Sequence, residues 1–464
     1  MPKTHALPPK FITALRDSLS PDQLLTETGD CVAYGYDNSR IQVTPDAVVF
    51  PDDHDQVVAI VRLCNQHRVP LTARGRGTGT TGASVPLRGG VVLSTERMQN
   101  IIELRPDDRY ITVQPGLTNQ AVQNALAEHG YFWPPDPSSA AYCSIGGNLA
   151  YNSAGPRAVK YGTPRENVLG LRAVTGSGES IRTGVFTTKG VVGFDLTRLL
   201  IGSEGNLAII TEATLKLSPL AEDKRILQAI YRDIESATRA VADIMKQAII
   251  PCALEFIDGT AIDLIRQNSD ITFPDAAGAM LMIELDGAQQ HLDTDVTNIT
   301  AVATNEGLLS MKAAKTPAEA TALWNARKAL SPALRNVAPK KINEDIVVPV
   351  SHIPALIHGL EQLSEKHGIS IVNFGHAGNG NIHVNLLYDP DNPRQAKNID
   401  LCLEQVFDLV LELRGSLSGE HGVGISKQPF INRELDATSL RLMQQIKHDF
   451  DPHHILNPGK LLPE

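Results

Sequence analysis

The feature that most restricts the fold is the stretch Gly75-Arg76-Gly77-Thr78-Gly79-Thr80-Thr81-Gly82, which follows the strand-like run Val69–Arg74. Gly77, Gly79 and Gly82 fit the spacing GxGxxG, and Glu103 stands about 20 residues further on, as a dinucleotide-binding βαβ unit requires. In that unit the glycine loop must open a helix. Here Pro86, Gly89 and Gly90 come next, and then a second strand, Val91-Val92-Leu93-Ser94. A strand–loop–strand order excludes the βαβ reading. What survives is physical: glycines leave backbone N–H groups unobstructed, and a row of them makes a nest for an anionic phosphate. The alternative is a tight glycine hairpin.

Two more small-residue runs follow. One is Ser144-Ile145-Gly146-Gly147-Asn148-Leu149-Ala150, continued by Asn152-Ser153-Ala154-Gly155; the other is Gly202-Ser203-Glu204-Gly205-Asn206. Both read as loops. Between the first and second, Pro134-Pro135-Asp136-Pro137 is rigid and extended, since each proline fixes φ. One phosphate needs one such loop, whereas three suit a long ligand lying against backbone. Around them, residues 1–46 read as a lead-in and Ala47–Phe50 as a strand stopped by Pro51. Asp53–His67 has helical period with Val57, Ile60, Val61 and Cys64 on one stripe. Tyr110–Gln114 reads as a strand, Thr118–His129 as a helix, Asp195–Leu200 as helix-like and Ala208–Thr211 as a strand.

A different kind of pattern lies near the carboxyl end. Ile369–Phe374 is β-branched and apolar, Gly375, Gly378, Asn379 and Gly380 supply a turn, and Asn381–Tyr388 alternates. Side chains two apart share a strand face, so His383 and Asn385 point one way and Ile382 and Val384 the other. His376 ends the first strand and can swing to the same face. Further on, Gly419-Glu420-His421-Gly422-Val423-Gly424 holds a carboxylate and an imidazole between glycines. Two His and a Glu form a known three-ligand set for a divalent metal with an open position. His376, His383 and Glu420 are therefore the candidate ligands, with His421 left beside them for proton transfer. The other reading is turn histidines next to glycine bends.

A chain of 464 residues makes two large domains or about three ordinary ones. Its formal charge of −10 argues against nucleic acid as a partner. Five cysteines, odd in number and without a CxxC pair, read as reduced and buried, which points to a cytosolic setting. Met1–Arg16 lacks the apolar core of a secretory signal. No run approaches the roughly 18 apolar residues of a membrane span, so any membrane association is peripheral. Residues 219 to about 430 read as a separate substrate domain with a split α+β pattern. It comprises strand Ile226–Tyr231, helix Ile234–Gln247, strands Ala253–Ile257 and Ala279–Glu284 and helix Asp293–Asn305. Helical Thr316–Asn336 follows, then strand Glu344–Val350 and helix Ile353–His367. Arg327, on the helical Thr316–Asn336 stretch, offers a planar fork for a carboxylate; a surface salt bridge is the competing reading.

The set Pro51, Arg74–Gly79, Pro134-Pro135-Asp136-Pro137, Ile145–Asn148 and Asp195–Gly205 resembles the FAD domain of the vanillyl-alcohol-oxidase type flavoproteins. With His376–His383, Gly419–Gly422 and Leu456-Asn457-Pro458-Gly459-Lys460, the chain from about residue 20 on resembles the FAD-linked D-2-hydroxyacid dehydrogenases. That family includes D-lactate dehydrogenase, the glycolate oxidase flavoprotein subunit and D-2-hydroxyglutarate dehydrogenase. The resemblance implies an α+β fold: a two-part FAD-binding domain with an inserted ferredoxin-like substrate or cap domain. The expected boundaries are 1–218 for the FAD domain, 219–430 for the cap with the metal site, and 431–464 for a segment returning to the FAD domain.

By that resemblance Arg74, Gly75, Arg76, Gly77, Thr78 and Gly79 cradle the FAD pyrophosphate. Pro135, Asp136, Ser144, Gly146, Gly147 and Asn148 line the flavin, Gly205 and Ile210 approach the adenine half, and Asn457 joins from the returning segment. Some relatives attach FAD through a His in the first loop; Arg74–Gly82 has none, so the flavin is expected to be non-covalent. Ala208 replaces a glycine usual in the family. The implied chemistry is metal-assisted oxidation of a D-2-hydroxy acid, with hydride passing to flavin N5. Zn²⁺ or Mn²⁺ would sit on His376, His383 and Glu420, His421 would act as base, and Arg327 and Asn385 would hold the substrate carboxylate. Diacid-using relatives carry a Lys before the Asp that aligns with Asp345. This chain has Asn343 there, with Lys340 and Lys341 upstream, which favours a monocarboxylate such as D-lactate. Electrons would leave to a quinone, a cytochrome or an electron-transfer flavoprotein. The family leaves room for a homodimer and for a place in the cytoplasm or at the inner face of the membrane.

Overall fold

The computed structural model describes residues 7–268 and 272–463; the first six residues of the expected lead-in lie outside them. The chain divides into two units. Unit 1 takes the chain up to Ala154, Gly162–Leu220 and everything from Glu420 on; unit 2 takes Gly155–Tyr161 and Ala221–Gly419.

Unit 1 is built on two sheets. The first has four strands, β1 (Leu24–Leu25), β2 (Ala47–Val49), β3 (Leu71–Arg74) and β4 (Val91–Ser94), in the order β1-β2-β4-β3. Strands β2 and β3 both pair parallel with β4. Helix His54–His67 connects β2 to β3. Asp53 caps it by accepting from the Gln56 N–H, Arg68 closes it in the left-handed conformation, and the expected stripe Val57, Ile60, Val61 and Cys64 is buried. That stripe packs on Ala47, Val49, Leu71, Val91 and Leu93 and on Phe11 and Leu15. The second sheet comprises β5 (Ile101–Arg105), β6 (Tyr110–Val113), β8 (Val168–Thr175), β9 (Ser180–Gly184) and β10 (Ala208–Lys216), ordered β5-β6-β10-β8-β9 and antiparallel throughout. Short β7 (Tyr131–Phe132) pairs with β11 (Ser218–Pro219).

The carboxyl-terminal stretch closes unit 1. Leu71 N–H donates to the Ile455 carbonyl and Asn457 N–H to the Leu71 carbonyl, so the chain runs beside β3. Helix Ala437–Phe450 is tied in by a buried lysine. Lys447 Nζ donates to the carbonyls of Asn206 (2.7 Å) and Leu456 (2.8 Å) and to Asp451 Oδ2 (2.5 Å). Asp451 in turn accepts from the N–H groups of Ile455 and Leu456.

Unit 2 holds one seven-stranded antiparallel sheet. Its strands are β12 (Asp223–Tyr231), β13 (Ala253–Asp258), β14 (Ala279–Gly287), β15 (Leu308–Ala313), β16 (Lys340–Val347), β17 (Ser370–His376) and β18 (Asn381–Tyr388), in the order β15-β12-β14-β13-β17-β18-β16. The first four, with helices Ile234–Ile244 and Gln289–Ala303, are a ferredoxin-like βαββαβ in the spatial order 4-1-3-2. The last three extend that sheet. Helices Gly259–Asn268 and Pro317–Ala333 cover the face that carries Ile257, Met280, Met282 and Phe374.

Five elements differ from the sequence reading. Ser144–Ala150, expected as a loop, is the start of helix Ile145–Tyr151. Ser144 caps it by accepting from Gly147 N–H, and a side chain on Gly146 would strike Pro115, so the glycines serve close packing and not a turn. Helices Gly259–Asn268 and Pro393–Glu412 and strand β15 were not expected at all. The β16 strand starts at Lys340 and ends at Val347, not at Val350.

Candidate active site

In unit 1 the glycine loop leaves β3 and crosses to β4 without a helix. Among the described residues no backbone N–H from Gly75 to Gly82 donates a hydrogen bond. A row of N–H groups left open by glycines fits an anionic phosphate. Its neighbours are the other expected segments. A side chain on Gly75 would meet the Ser144 hydroxyl, one on Gly79 the Tyr151 hydroxyl, and one on Gly77 the Arg74 guanidinium. Gly77 also has φ +66°, open to few residues but glycine. Arg74 is fixed by donating to the Tyr36 carbonyl at 2.7 Å. Arg76 and Thr78 lie in the same loop, Arg76 exposed to solvent.

The flavin-lining candidates join this cradle. Asn119 Nδ2 donates to the Pro135 carbonyl (3.0 Å) and to Asn148 Oδ1 (3.2 Å), and Asp136 N–H donates to the Ala154 carbonyl. Gly205 lies against Asn457, whose amide donates to the Glu204 carbonyl at 2.5 Å. Ile210 sits on β10 opposite Ala173.

Glu204, not singled out in the sequence, is nearly inaccessible and accepts from the N–H groups of Val423 (2.6 Å) and Gly424 (2.8 Å). Burial pushes its carboxyl up to about 7 against those two bonds. Burial likewise draws Lys460 down to about 7, opposed by Asp37 and Glu204. Through this anchor the Glu420–His421 segment is held in unit 1. Glu420 Oε2 accepts from Ala154 N–H (3.3 Å), its carbonyl from Ser153 Oγ, and the His421 carbonyl from Thr81 Oγ1.

In unit 2 the antiparallel register lays polar side chains across one sheet face. Directly opposed residues share a face, and the pairs run Met282–Glu255, Glu255–His376 and His376–Asn381, then Phe374–His383 and His383–Asp345. Turn Ala377–Asn379 with Gly380 at φ +74° joins β17 to β18 as the glycines required. The His376 and His383 rings stand edge to face, centroids 5.2 Å apart, and both are buried.

A carboxylate faces Nδ1 of each ring: Glu255 Oε1 lies 2.5 Å from His376 and Asp345 Oδ1 3.8 Å from His383. Asp345 also accepts from Asn381 Nδ2 at 2.6 Å and from Gly419 N–H at 2.8 Å. Arg327, projecting from helix Pro317–Ala333, donates through Nε to Glu255 Oε2 at 2.8 Å and lies over the Phe374 ring, 4.6 Å from its centroid. It is buried and not a surface salt bridge. Burial pushes the Glu255 carboxyl up, and His376 with Arg327 pulls it down by more, so the net shift is downward.

Asn385 departs from its expected role. It is fully buried, its amide donates to the carbonyls of Val372 and His383, and its oxygen accepts from Asn343 at 2.7 Å. Its polar atoms are spent on the sheet, and it presents none of them to a ligand. Glu255 and Asp345 were missed as site residues. The clue was present in each case: a single acid inside an apolar strand, Ala253-Leu254-Glu255-Phe256-Ile257, and an acidic pair ahead of Ile346-Val347-Val348. Buried acids of that kind are paired.

The donor chemistry fits a divalent cation. The buried His376 has its Nδ1 hydrogen-bonded to a carboxylate, the arrangement that orients metal-binding histidines, and the Asp345 carboxylate stands 3.8 Å from His383 Nδ1.

Among the described residues no helix is long and apolar enough to cross a membrane. Residues 45–184 match the FAD binding domain, and residues 220–461 match the C-terminal domain of FAD linked oxidases. The chain is 40% identical over 431 residues to the glycolate oxidase subunit GlcD of Bacillus subtilis, covering 93% of this chain and 92% of that one. It is 34% identical to a D-lactate dehydrogenase of Archaeoglobus fulgidus (93% and 95% covered) and 32% identical to a D-2-hydroxyglutarate dehydrogenase of Xanthomonas citri pv. viticola (97% and 96%). In fold it matches p-cresol methylhydroxylase with a TM-score of 0.78 at 20% identity, over 97% of this chain and 96% of that one. With its glycine cradle, its ferredoxin-like unit and both of these domains in one chain, the protein belongs to the FAD-linked oxidases of the vanillyl-alcohol-oxidase fold, in the branch of the FAD-linked D-2-hydroxyacid dehydrogenases.

Proposed function

We propose that this protein oxidises a small D-2-hydroxy acid, D-lactate above others, to the 2-oxo acid, and hands the electrons to a quinone, a cytochrome or an electron-transfer flavoprotein. The observation that carries this reading is the buried sheet face on which His376, His383 and Arg327 converge, each backed by a carboxylate. Similarity to a glycolate oxidase subunit and to dehydrogenases of D-lactate and D-2-hydroxyglutarate supports the substrate class.

FAD is held non-covalently by the Gly75–Gly79 loop, Ser144–Asn148, Gly205 and Asn457. A Zn²⁺ or Mn²⁺ ion is held by His376, His383 and Glu420, the residue that follows Gly419, itself fixed by Asp345. When bound, the flavin supplies a two-electron acceptor and the cation a Lewis acid that acidifies the substrate hydroxyl. Arg327 spends Nε on Glu255 and keeps the terminal edge of its fork for the substrate carboxylate. His421 takes the hydroxyl proton as general base. Asn343, bound to Asn385, gives a second carboxylate no cation. Unit 1 serves as the FAD domain and unit 2 as the substrate domain, so the returning segment starts at Glu420 and not at 431.

Dye-coupled turnover of D- and L-2-hydroxy acids tests the reading. D-lactate should lead, the L-enantiomers should be poor, and D-2-hydroxyglutarate should trail. A preference for the diacid would overturn the role given to Asn343, and no turnover of any 2-hydroxy acid would sink the proposal.

A further inference from the structure

Glu255 hydrogen-bonds both a proposed metal ligand and the proposed carboxylate anchor. It stands in the middle of β13, is 1% exposed, and uses its two oxygens on two different partners, His376 Nδ1 and Arg327 Nε. The sheet fixes the first contact, because Glu255 and His376 are directly opposed in the β13–β17 register. Helix Pro317–Ala333 fixes the second, with Arg327 clamped between the carboxylate and the Phe374 ring two residues before His376.

We infer that Glu255 is a positioning residue that sets the tautomer and orientation of His376 and, by the same carboxylate, the plane of Arg327. A guanidinium only donates, so Oε2 must accept from Arg327. A carboxylate held in that way accepts at Oε1 too. His376 must then carry its hydrogen on Nδ1, which leaves the Nε2 lone pair as its ligating atom. One buried group thereby registers the hydroxyl end of a substrate against its carboxylate end. Glutamine in its place has one acceptor and one donor group on its amide, and cannot accept from both partners.

The metal arm of this inference rests on the proposed function; the tautomer arm does not. In chelated wild-type protein labelled with ¹⁵N-histidine, long-range ¹H–¹⁵N spectra should show His376, assigned by its loss in His376→Gln, as the Nδ1–H form. Finding the Nε2–H form or a mixture would overturn the inference. In Glu255→Gln the signal should move towards Nε2–H, and Zn²⁺ affinity, measured by competition with a chromophoric chelator, should fall about 10- to 100-fold. Unchanged zinc affinity in a folded Glu255→Gln would also overturn it. If that variant does not fold, the wild-type spectrum alone decides. Wild-type protein that takes up neither Zn²⁺ nor Mn²⁺ would remove the metal reading, while the tautomer would still judge Glu255.

Discussion

The cradle in unit 1 and the sheet face in unit 2 are built from different materials. The cradle is main chain. It consists of N–H groups from Gly75 to Gly82 that donate no hydrogen bond within the chain, beside Gly75, Gly77, Gly79 and Gly82, whose neighbours leave no room for a side chain. The face is side chain. Its groups come from β13, β16, β17, β18 and a helix, and are meaningful only once the register aligns them. A cofactor site of the first kind tolerates change in side-chain chemistry but not in side-chain presence. A catalytic site of the second kind has the opposite sensitivity.

Removing the proposed cation should make the sharpest division. Prolonged chelation should abolish turnover while the flavin spectrum stays intact; a metal-free enzyme at full rate, checked by elemental analysis, would end the metal reading. His421→Ala should lower kcat and kcat/KM together by a factor on the order of 10² to 10⁴, because a base acts in the transition state. Arg327→Ala should chiefly raise KM. Full-speed flavin bleaching by His421→Ala in stopped flow would remove it as the base.

Gly77→Ala attacks the other material. A left-handed φ costs an ordinary residue about 1–2 kcal/mol, and the added carbon also meets the Arg74 guanidinium. FAD affinity should drop about tenfold, at about 1.4 kcal/mol per decade, with metal uptake unchanged. Equal loss of metal and flavin would erase the contrast between the two regions.

The smallest effect is in pH. Folded Glu204 keeps a proton up to about 7 that an ordinary carboxyl, at 4.5, has given up. Its stabilising share is therefore complete below about 4.5 and lost as pH rises to 7 and beyond. The facing cations Lys460 and Lys427 oppose the shift, and Lys460, drawn down to about 7, makes stability rise again above that pH. Glu204→Gln should flatten the decline of the flavin-release temperature between pH 4.5 and 7, by a few degrees, on the order of 5 °C. An unaltered slope would mean that Glu204 does not titrate there.

This difference in material also explains what could be read in advance. Glycine runs announce themselves in sequence, and the loop Gly75–Gly82 stood out that way. Helix Ile145–Tyr151 was misread as a loop because glycines that permit close helix packing look like glycines that permit turns. Alternation in Asn381–Tyr388 placed His383 correctly, but alternation alone cannot tell a side chain that meets a ligand from one, such as Asn385, whose partners lie within the sheet. Glu255 and Asp345 carried a local sign of burial, a lone acid or an acidic pair beside apolar residues, but which partners they meet depends on the strand order, which no local pattern supplies. Helix Pro393–Glu412 was missed although Asn392 caps it and Pro393 opens it, and strand β15 although Asn305 and Gly307 stand before it.

The lysine clasp at the carboxyl-terminal helix has a consequence for biosynthesis. Lys447 binds the carbonyl of Asn206, 241 residues earlier in the chain, and the whole of 221–419 is translated between them. Apart from Gly155–Tyr161, unit 2 is one unbroken stretch and can fold while it emerges from the ribosome. Unit 1 cannot. Its first two segments must wait, with the β3 edge that Ile455 and Asn457 will cover still bare, until the last segment arrives. Flavin capture is thus a late event in the life of each molecule. During synthesis the β3 edge stays open until the last segment is made, and an open strand edge is where aggregation would act.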